Sequence, residues 1–269
     1  MELTKLSSEE LFIKQKGIGR CKTKNKKFII EDDDDAPLRD ENIKEEVIES
    51  IRDENIKEVI EGKSFLNNIY KTYNLYHKHG PTSSEKVNYF HNCIKVEIEK
   101  IIKNKLSQNI YKVQLEQNID SINSSNKKKC DIVVFKNDKP YIVFPVKIIM
   151  TNYKQNKNNS WENLTGELIH LKWANPDIKI IPINILMNKT PYLKKNKIID
   201  KFEYITYSDI KTYEILKEKD IAYDIINYII EVDHENKIGE NFCKTPNILN
   251  FNLNTKYRSF NKVLMNLIC

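Results

Sequence analysis

Glycine and proline are scarce, at 6 and 8 in 269 residues, which excludes a collagen-like chain and a Pro/Gly-driven disordered one. No run approaches the roughly 18 consecutive apolar residues of a membrane-spanning helix. The opening MELTKLSSEELFIKQKG carries acids and has no apolar core of a secretion signal, so an intracellular, cytoplasmic protein is expected. The five cysteines (Cys21, Cys93, Cys130, Cys243 and Cys269) are odd in number, scattered and without a CxxC pair, which points to reduced thiols rather than a disulfide framework. GxGxxG, GxxxxGK[ST] and GxSxG are all missing, so dinucleotide-binding, P-loop and α/β-hydrolase signatures are absent. Histidine is also sparse. His77 and His79 are two apart, as are His91 and Cys93, but the second pair falls on an expected helix, diverges by about 200° and cannot share an ion, so zinc is not expected.

What is present is charge and enough apolar residues for a sizeable core: 30% charged and 40% hydrophobic. The net charge of +6 hides a segregation, with +5 over residues 1–30, −10 over residues 31–62 and +11 over the rest. A basic body suits a polyanionic partner, because each Lys or Arg that neutralises a phosphate releases a counterion. A coding bias toward Lys, Asn and Ile accounts for the same composition.

Residues 1–62 read as a charged N-terminal appendage, and residues 63–269 as the main domain. The appendage holds a basic stretch, KTKNKKFII, the acidic block Glu31–Asp35, and a short tandem repeat, RDENIKEEVIES at 39–50 and RDENIKEVIEG at 52–62. The Ile and Val residues of the repeat fall at helical spacing, so one or two amphipathic helices ended by Gly62 are expected. A further helix over 64–79 closes at Gly80-Pro81. Ser83 or Ser84 then caps a long helix whose apolar stripe is Val87, Phe90, Ile94, Ile98, Ile101 and Ile102. Glu97 lies in or beside that stripe, where a carboxylate needs a partner or a metal.

The period then changes. KKKCDIVVF (127–135) and PYIVFPVKIIM (140–150) are rich in β-branched and aromatic residues and are separated by a turn signal; IKIIPINILM (178–187) reads as another strand. Between them an amide-rich loop, TNYKQNKNN, leads to a helix that Ser160 can cap, WENLTGELIHLKW. One or two more helices are expected over 205–232. Helices on strands on helices make an α/β sandwich the expected architecture.

Within the hairpin, pairing Phe135 with Tyr141 across a five-residue turn puts Asp131 opposite Pro145, and period two places Lys147 on the same face. An acid and a lysine side by side among apolar strands must be paired or must coordinate something. An Asp–Lys ion pair satisfies that, and so does a metal site.

A helix with an inward Glu, an Asp opening one strand, a Lys on the next strand and a following helix together resemble the PD-(D/E)xK nuclease superfamily, type II restriction endonucleases in particular. The resemblance spans about residues 84–187. It implies a restriction-endonuclease-like mixed central sheet flanked by helices, and Mg²⁺-dependent, sequence-specific hydrolysis of double-stranded DNA. Here the motifs read Cys130-Asp131 and Pro145-Val146-Lys147, so Pro145 stands where the family has its second acid. Some of these restriction enzymes carry that acid in the first turn of the following helix. Glu162, 15 residues after Lys147, matches this position, and Glu167, among Leu164, Leu168 and Leu171, is the alternative. The resemblance thus implies Asp131 and Glu162 as metal ligands, Lys147 orienting the attacking water and Glu97 supporting from its helix. Independently of any family, carboxylates holding Mg²⁺ can both activate water and stabilise the leaving oxygen.

The loop beside this site offers Lys154 and Lys157 to phosphates, and Gln155, Asn156, Asn158 and Asn159 to adenine edges. An ordinary solvated loop has the same composition. Two antiparallel strands call for a homodimer, and a restriction enzyme calls for a cognate DNA methyltransferase encoded nearby. A structure-specific repair or recombination nuclease, and a non-catalytic DNA-binding protein on a decayed nuclease scaffold, are the alternatives.

Overall fold

The strands richest in β-branched residues become the middle of two linked mixed sheets, with helices packed on both sides of them. The computed structural model describes residues 40–105, 110–252 and 254–268. The basic stretch, the acidic block, Cys21 and Cys269 lie outside the described residues. The chain divides into Met1–Ile48 and a compact unit, Glu49–Cys269. Of the first, only the opening of helix α1 (Asp40–His79) is described.

Helix α1 runs through Gly62 without a break, so the expected boundary at 62/63 falls inside a helix. Gly62 is a packing residue, because a Cβ there would stand 3.3 Å from Tyr257 Cγ and 3.5 Å from Phe251 Cε2. Glu58 and Glu61, from the expected appendage, bond Lys262 Nζ and Ser259 Oγ, each at 2.6 Å. The helix ends where expected: Gly80, at φ 88°, donates its N–H to Tyr76 O at 2.9 Å, the left-handed cap that a Cβ disfavours. Helix α2 (Glu85–Lys105) follows, with Ser83 Oγ accepting from Glu85 N–H at 3.2 Å.

Strands β1 (Tyr111–Asp120), β2 (Lys127–Lys136) and β3 (Lys139–Phe144) form an antiparallel meander. Asn137 and Asp138, at φ 50° and 59°, make a two-residue turn of the kind whose twist suits a hairpin, in place of the expected five-residue one. A register shift between Val134 and Phe135 absorbs the difference, so Ile132 still pairs with Phe144 and Asp131 still stands opposite Pro145.

Pro145 has no N–H for the ladder, and it separates β3 from β4 (Val146–Ile149). Helix α3 (Tyr153–Ala174) then crosses over to β5 (Lys179–Ile180) and β6 (Ile183–Met187), which are parallel to β3 and β4. Two four-stranded sheets result, one ordered β1-β2-β3-β5 and the other ordered β10 (Asn247–Phe251), β9 (Ile226–Asp233), β6 and β4. They meet where Ile181 N–H donates to Val143 O at 2.9 Å and Ile183 N–H to Pro145 O at 2.8 Å.

Strands β7 (Lys189–Leu193) and β8 (Ile199–Tyr204) form a separate hairpin. The helices expected over 205–232 are reduced to α4 (Tyr207–Lys211), a 3₁₀ turn and α5 (Ile215–Glu218). The run INYIIEVD is strand β9 (Ile226–Asp233), parallel to β6 and antiparallel to β10 (Asn247–Phe251). Its β-branched residues, buried on both faces of a central strand, lack the alternation that would have identified it. Helix α6 (Phe260–Ile268) ends the described chain.

One core layer joins Phe65, Ile69 and Tyr73 of α1, Phe90, Ile94 and Ile98 of α2 and Phe260 of α6 to Ile132, Val134, Ile142 and Phe144. The opposite layer joins Leu168 and Leu171 of α3 and Ile210 of α4 to Val133, Val143, Ile180 and Leu186. Each such aliphatic side chain, when fully buried, contributes about 1.5–3 kcal/mol. No described helix is long and apolar enough to cross a membrane.

Candidate active site

Asp131 is a half-buried carboxylate in a strand otherwise packed from Cys130 to Val134. Its position is fixed by Pro145 across the hairpin. The next residue, Val146, turns its N–H away from the ladder and donates it to Asp131 Oδ2 at 2.7 Å. Lys147, exposed on β4, opens onto the same cavity of about 300 Å³ as Asp131. The expected acid and lysine therefore share one recess.

The far wall of that recess is α3, through Ser160, Asn163, Leu164, Glu167, Leu168 and Leu171. These positions follow the helical period. Glu162 does not; it is exposed and outside this wall. The helix begins at Tyr153 rather than at Ser160, so Glu162 lies in its third turn and the first-turn match fails. Glu167, the alternative, does line the recess, with Oε1 at 2.5 Å from Lys128 Nζ.

On the other side of Asp131 stand Glu116, which the sequence motifs did not mark, and His91, which they marked only beside Cys93. Leu115 pairs with Ile132 and Gln117 with Cys130, which places Glu116 of β1 directly opposite Asp131. Glu116 holds φ 56°, an uncommon conformation for a residue with a Cβ inside a strand. From α2 comes His91, 3% exposed, with Nδ1 at 3.6 Å from Glu116 Oε1. That Nδ1 is buried and has no hydrogen-bond partner. Donor atoms of His91, Glu116 and Asp131 all lie within 4.8 Å of one another. Lys129 pairs with the second oxygen of Glu116.

Burial pushes the Asp131 carboxyl above its ordinary range; the Val146 N–H and His91 oppose that push, while Glu116 and Glu167 add to it. Like charges facing across a ladder repel, so the arrangement favours a cation or a proton among these carboxylates.

Glu97 does not join this group. Six residues beyond His91, it faces a different direction around α2. Its Oε1 accepts from Tyr257 O–H at 2.9 Å, and it lines a separate cavity of about 490 Å³ with Glu61, Cys93 and Lys100. Burial pushes its carboxyl up to about 7, against the Tyr257 hydrogen bond. The residue that α2 brings to Asp131 is His91. The signal for it was its place between Val87 and Ile94 in the apolar stripe.

The expected loop at 152–159 is the start of α3, entered from Asn152 at φ 53°. The buried Glu203 carboxylate accepts the Lys154 N–H at 2.9 Å and satisfies one of the helix's unpaired donors. Tyr153 is fully buried beside it. Lys157 Nζ bonds Asp209 Oδ1 at 2.8 Å, and Gln155 Oε1 accepts from Asn152 Nδ2 at 3.1 Å. The side chains of Lys154 and Asn158 are exposed, and that of Asn156 lies outside the described residues. Asn159 lines a further recess with Lys147, Ser160 and Asn163. No protein-family model, curated protein or solved structure matches this chain.

Proposed function

We propose that this protein is a divalent-metal-dependent endodeoxyribonuclease of restriction type, cutting double-stranded DNA at a short sequence. One observation carries the reading: Asp131 of β2 and Lys147 of β4 open into the same recess beside α3, the helix that follows them. The donor set suits a divalent cation, because two carboxylates converge with an imidazole whose buried Nδ1 makes no hydrogen bond. The resemblance implies Mg²⁺ for that ion.

Asp131 is the anchor, held in place by the Val146 N–H. Lys147, anchored on the parallel β4–β6 pair, brings an exposed lysine to the recess, where its ammonium can orient a water or a phosphate oxygen. Glu167 takes the part expected of Glu162, adding negative charge from the helix wall and strengthening the site's attraction for a cation. A bound divalent ion supplies a water of lowered pKa and charge stabilisation for the leaving oxygen. The +11 body supplies phosphate affinity. On this reading the enzyme works as a homodimer that addresses both strands, and a cognate methyltransferase protects the host DNA.

The test is cleavage of supercoiled plasmid by the full chain with Mg²⁺ or Mn²⁺, alongside Asp131→Asn and Lys147→Met. Discrete fragments from the wild type, lost in both variants, support the proposal. A smear, or cleavage confined to branched substrates, replaces sequence specificity with another nuclease class. No cleavage with either ion, or undiminished cleavage by Asp131→Asn, overturns it.

A further inference from the structure

We infer that His91, Glu116 and Asp131 form a three-donor metal site that takes a first-row transition-metal ion, such as Mn²⁺, in preference to Mg²⁺. The inference concerns the same donor set as the nuclease reading, but it needs no DNA cleavage to hold. His91 and Glu116 lie outside the ligand set that the resemblance implies.

Four observations converge. The three donor atoms lie within 4.8 Å of one another. Opposite ligands of an ion bonded at about 2.1 Å stand ~4.2 Å apart, so small side-chain adjustments bring these donors to a common centre. His91 Nδ1 is buried without a hydrogen bond and 3.6 Å from Glu116 Oε1, just beyond hydrogen-bonding range. A buried polar atom without a partner is rare in a folded protein and calls for a reason, such as an ion. Glu116 holds a left-handed backbone conformation in mid-strand, and strain of this kind persists where the surroundings enforce it, often at functional sites. Finally, Glu116 and Asp131 stand across from each other between the paired Leu115–Ile132 and Gln117–Cys130. Lys129 reaches one oxygen of Glu116, and Asp131 Oδ2 is engaged by the Val146 N–H. The other Asp131 oxygen has no hydrogen bond among the described residues, which leaves it to a cation.

The identity of the ion follows from the donors. Mg²⁺ prefers oxygen ligands and gains little from imidazole, whereas imidazole strengthens binding of Mn²⁺, Fe²⁺, Co²⁺ and Zn²⁺. A buried nitrogen at the centre of the site therefore tilts selection toward the transition metals. The rival account is a plain counter-ion: a protonated His91 between two carboxylates, with no metal.

Mn²⁺ titration of the chelator-treated full chain, followed by electron paramagnetic resonance, separates the two accounts. The expected result is one tightly held Mn²⁺ per chain with nitrogen modulation in the pulsed spectrum, displaced to half only by at least a hundredfold excess of Mg²⁺. His91→Leu keeps the α2 stripe apolar; it should remove the modulation and weaken Mn²⁺ binding at least tenfold, while changing Mg²⁺ binding less than about twofold. Absence of bound Mn²⁺, or bound Mn²⁺ without nitrogen modulation in the wild type, overturns the inference even if the variant fails to fold. Modulation that persists in folded His91→Leu overturns it too. Nitrogen-coupled Mn²⁺ on a chain that cuts no DNA leaves this site standing and sinks the nuclease reading. Cleavage in Mg²⁺ without nitrogen coupling does the reverse.

Discussion

Replacing Glu97 with Gln should stabilise the protein at alkaline pH and have almost no effect at acid pH. Glu97 is largely buried beside Glu61, and burial pushes its carboxyl up to about 7; the Tyr257 hydrogen bond and Lys100 offset that push only in part. In the unfolded chain it titrates near 4.5. Between these values the folded state holds a proton that the unfolded state has lost, so stability falls as pH rises from about 4.5 to about 7. At about 1.4 kcal/mol per pKa unit, the full penalty at pH 8 is of order 3 kcal/mol, and partial solvent access reduces it to about 2 kcal/mol. Gln is neutral throughout, and its side-chain oxygen can still accept from the Tyr257 hydroxyl. Urea denaturation at pH 4.5 and pH 8 measures the difference directly. The variant should gain about 2 kcal/mol over wild type at pH 8 and less than about 0.5 kcal/mol at pH 4.5. An equal effect at both pH values would refute the reasoning, because a packing change carries no such dependence.

Three further outcomes follow from the same geometry. Glu167→Gln should lower plasmid cleavage about tenfold or more while Glu162→Gln leaves it within twofold, and a reversed order of initial rates would restore Glu162 to the site. Gly62→Leu should cost about 1–3 kcal/mol in urea denaturation through overpacking against Tyr257 and Phe251; a neutral result would mean that this face of α1 is not packed. Asp138→Gly should stabilise by about 0.5–1 kcal/mol in thermal unfolding, because glycine relieves the positive φ of 59° at the second turn position; a loss of stability would contradict the two-residue turn.

The hairpin and the strand around Ile183 were legible because their residues are β-branched in unbroken runs. Counting from Phe135 opposite Tyr141 reached the register near Asp131 although Phe135 pairs with Pro140, because the shift after Val134 cancels the difference. Other features were hidden for physical reasons. Gly62 has the sequence look of a helix terminator, but its missing Cβ serves a contact with Tyr257, almost two hundred residues away in the chain. The start of α3 was misplaced because the asparagines of 152–159 are poor helix formers beside a good cap at Ser160. What fixes the start is tertiary: the buried Tyr153 ring and the Glu203 carboxylate on the Lys154 N–H. The long apolar run of β9 resembled a helix because a strand buried on both faces carries no period.

The candidate site shows the same division more sharply. Asp131 and Lys147 could be found from one short stretch of chain, because β2, β3 and β4 follow one another with only a tight turn and Pro145 between them. The remaining donors depend on which elements pack beside that pair. Glu116 follows once YKVQLEQNID is read as a strand: Tyr111, Val113 and Leu115 alternate with polar residues, and Leu115 packs at the edge of the core. Pairing that strand with β2 puts Glu116 opposite Asp131, so the carboxylate missing at Pro145 need not come from downstream. His91 was dismissed as half of an impossible zinc pair with Cys93, a comparison that tested the wrong partner. A histidine between Val87 and Ile94 on the buried face of α2 stands out against the apolar residues around it. A polar ring in that stripe needs something to bond, and its unpaired nitrogen faces the Glu116 and Asp131 carboxylates. Residues that a sequence places against its own local pattern, a histidine in an apolar stripe and an acid opposite an acid, mark the site more surely than the motif spacing that led to Glu162.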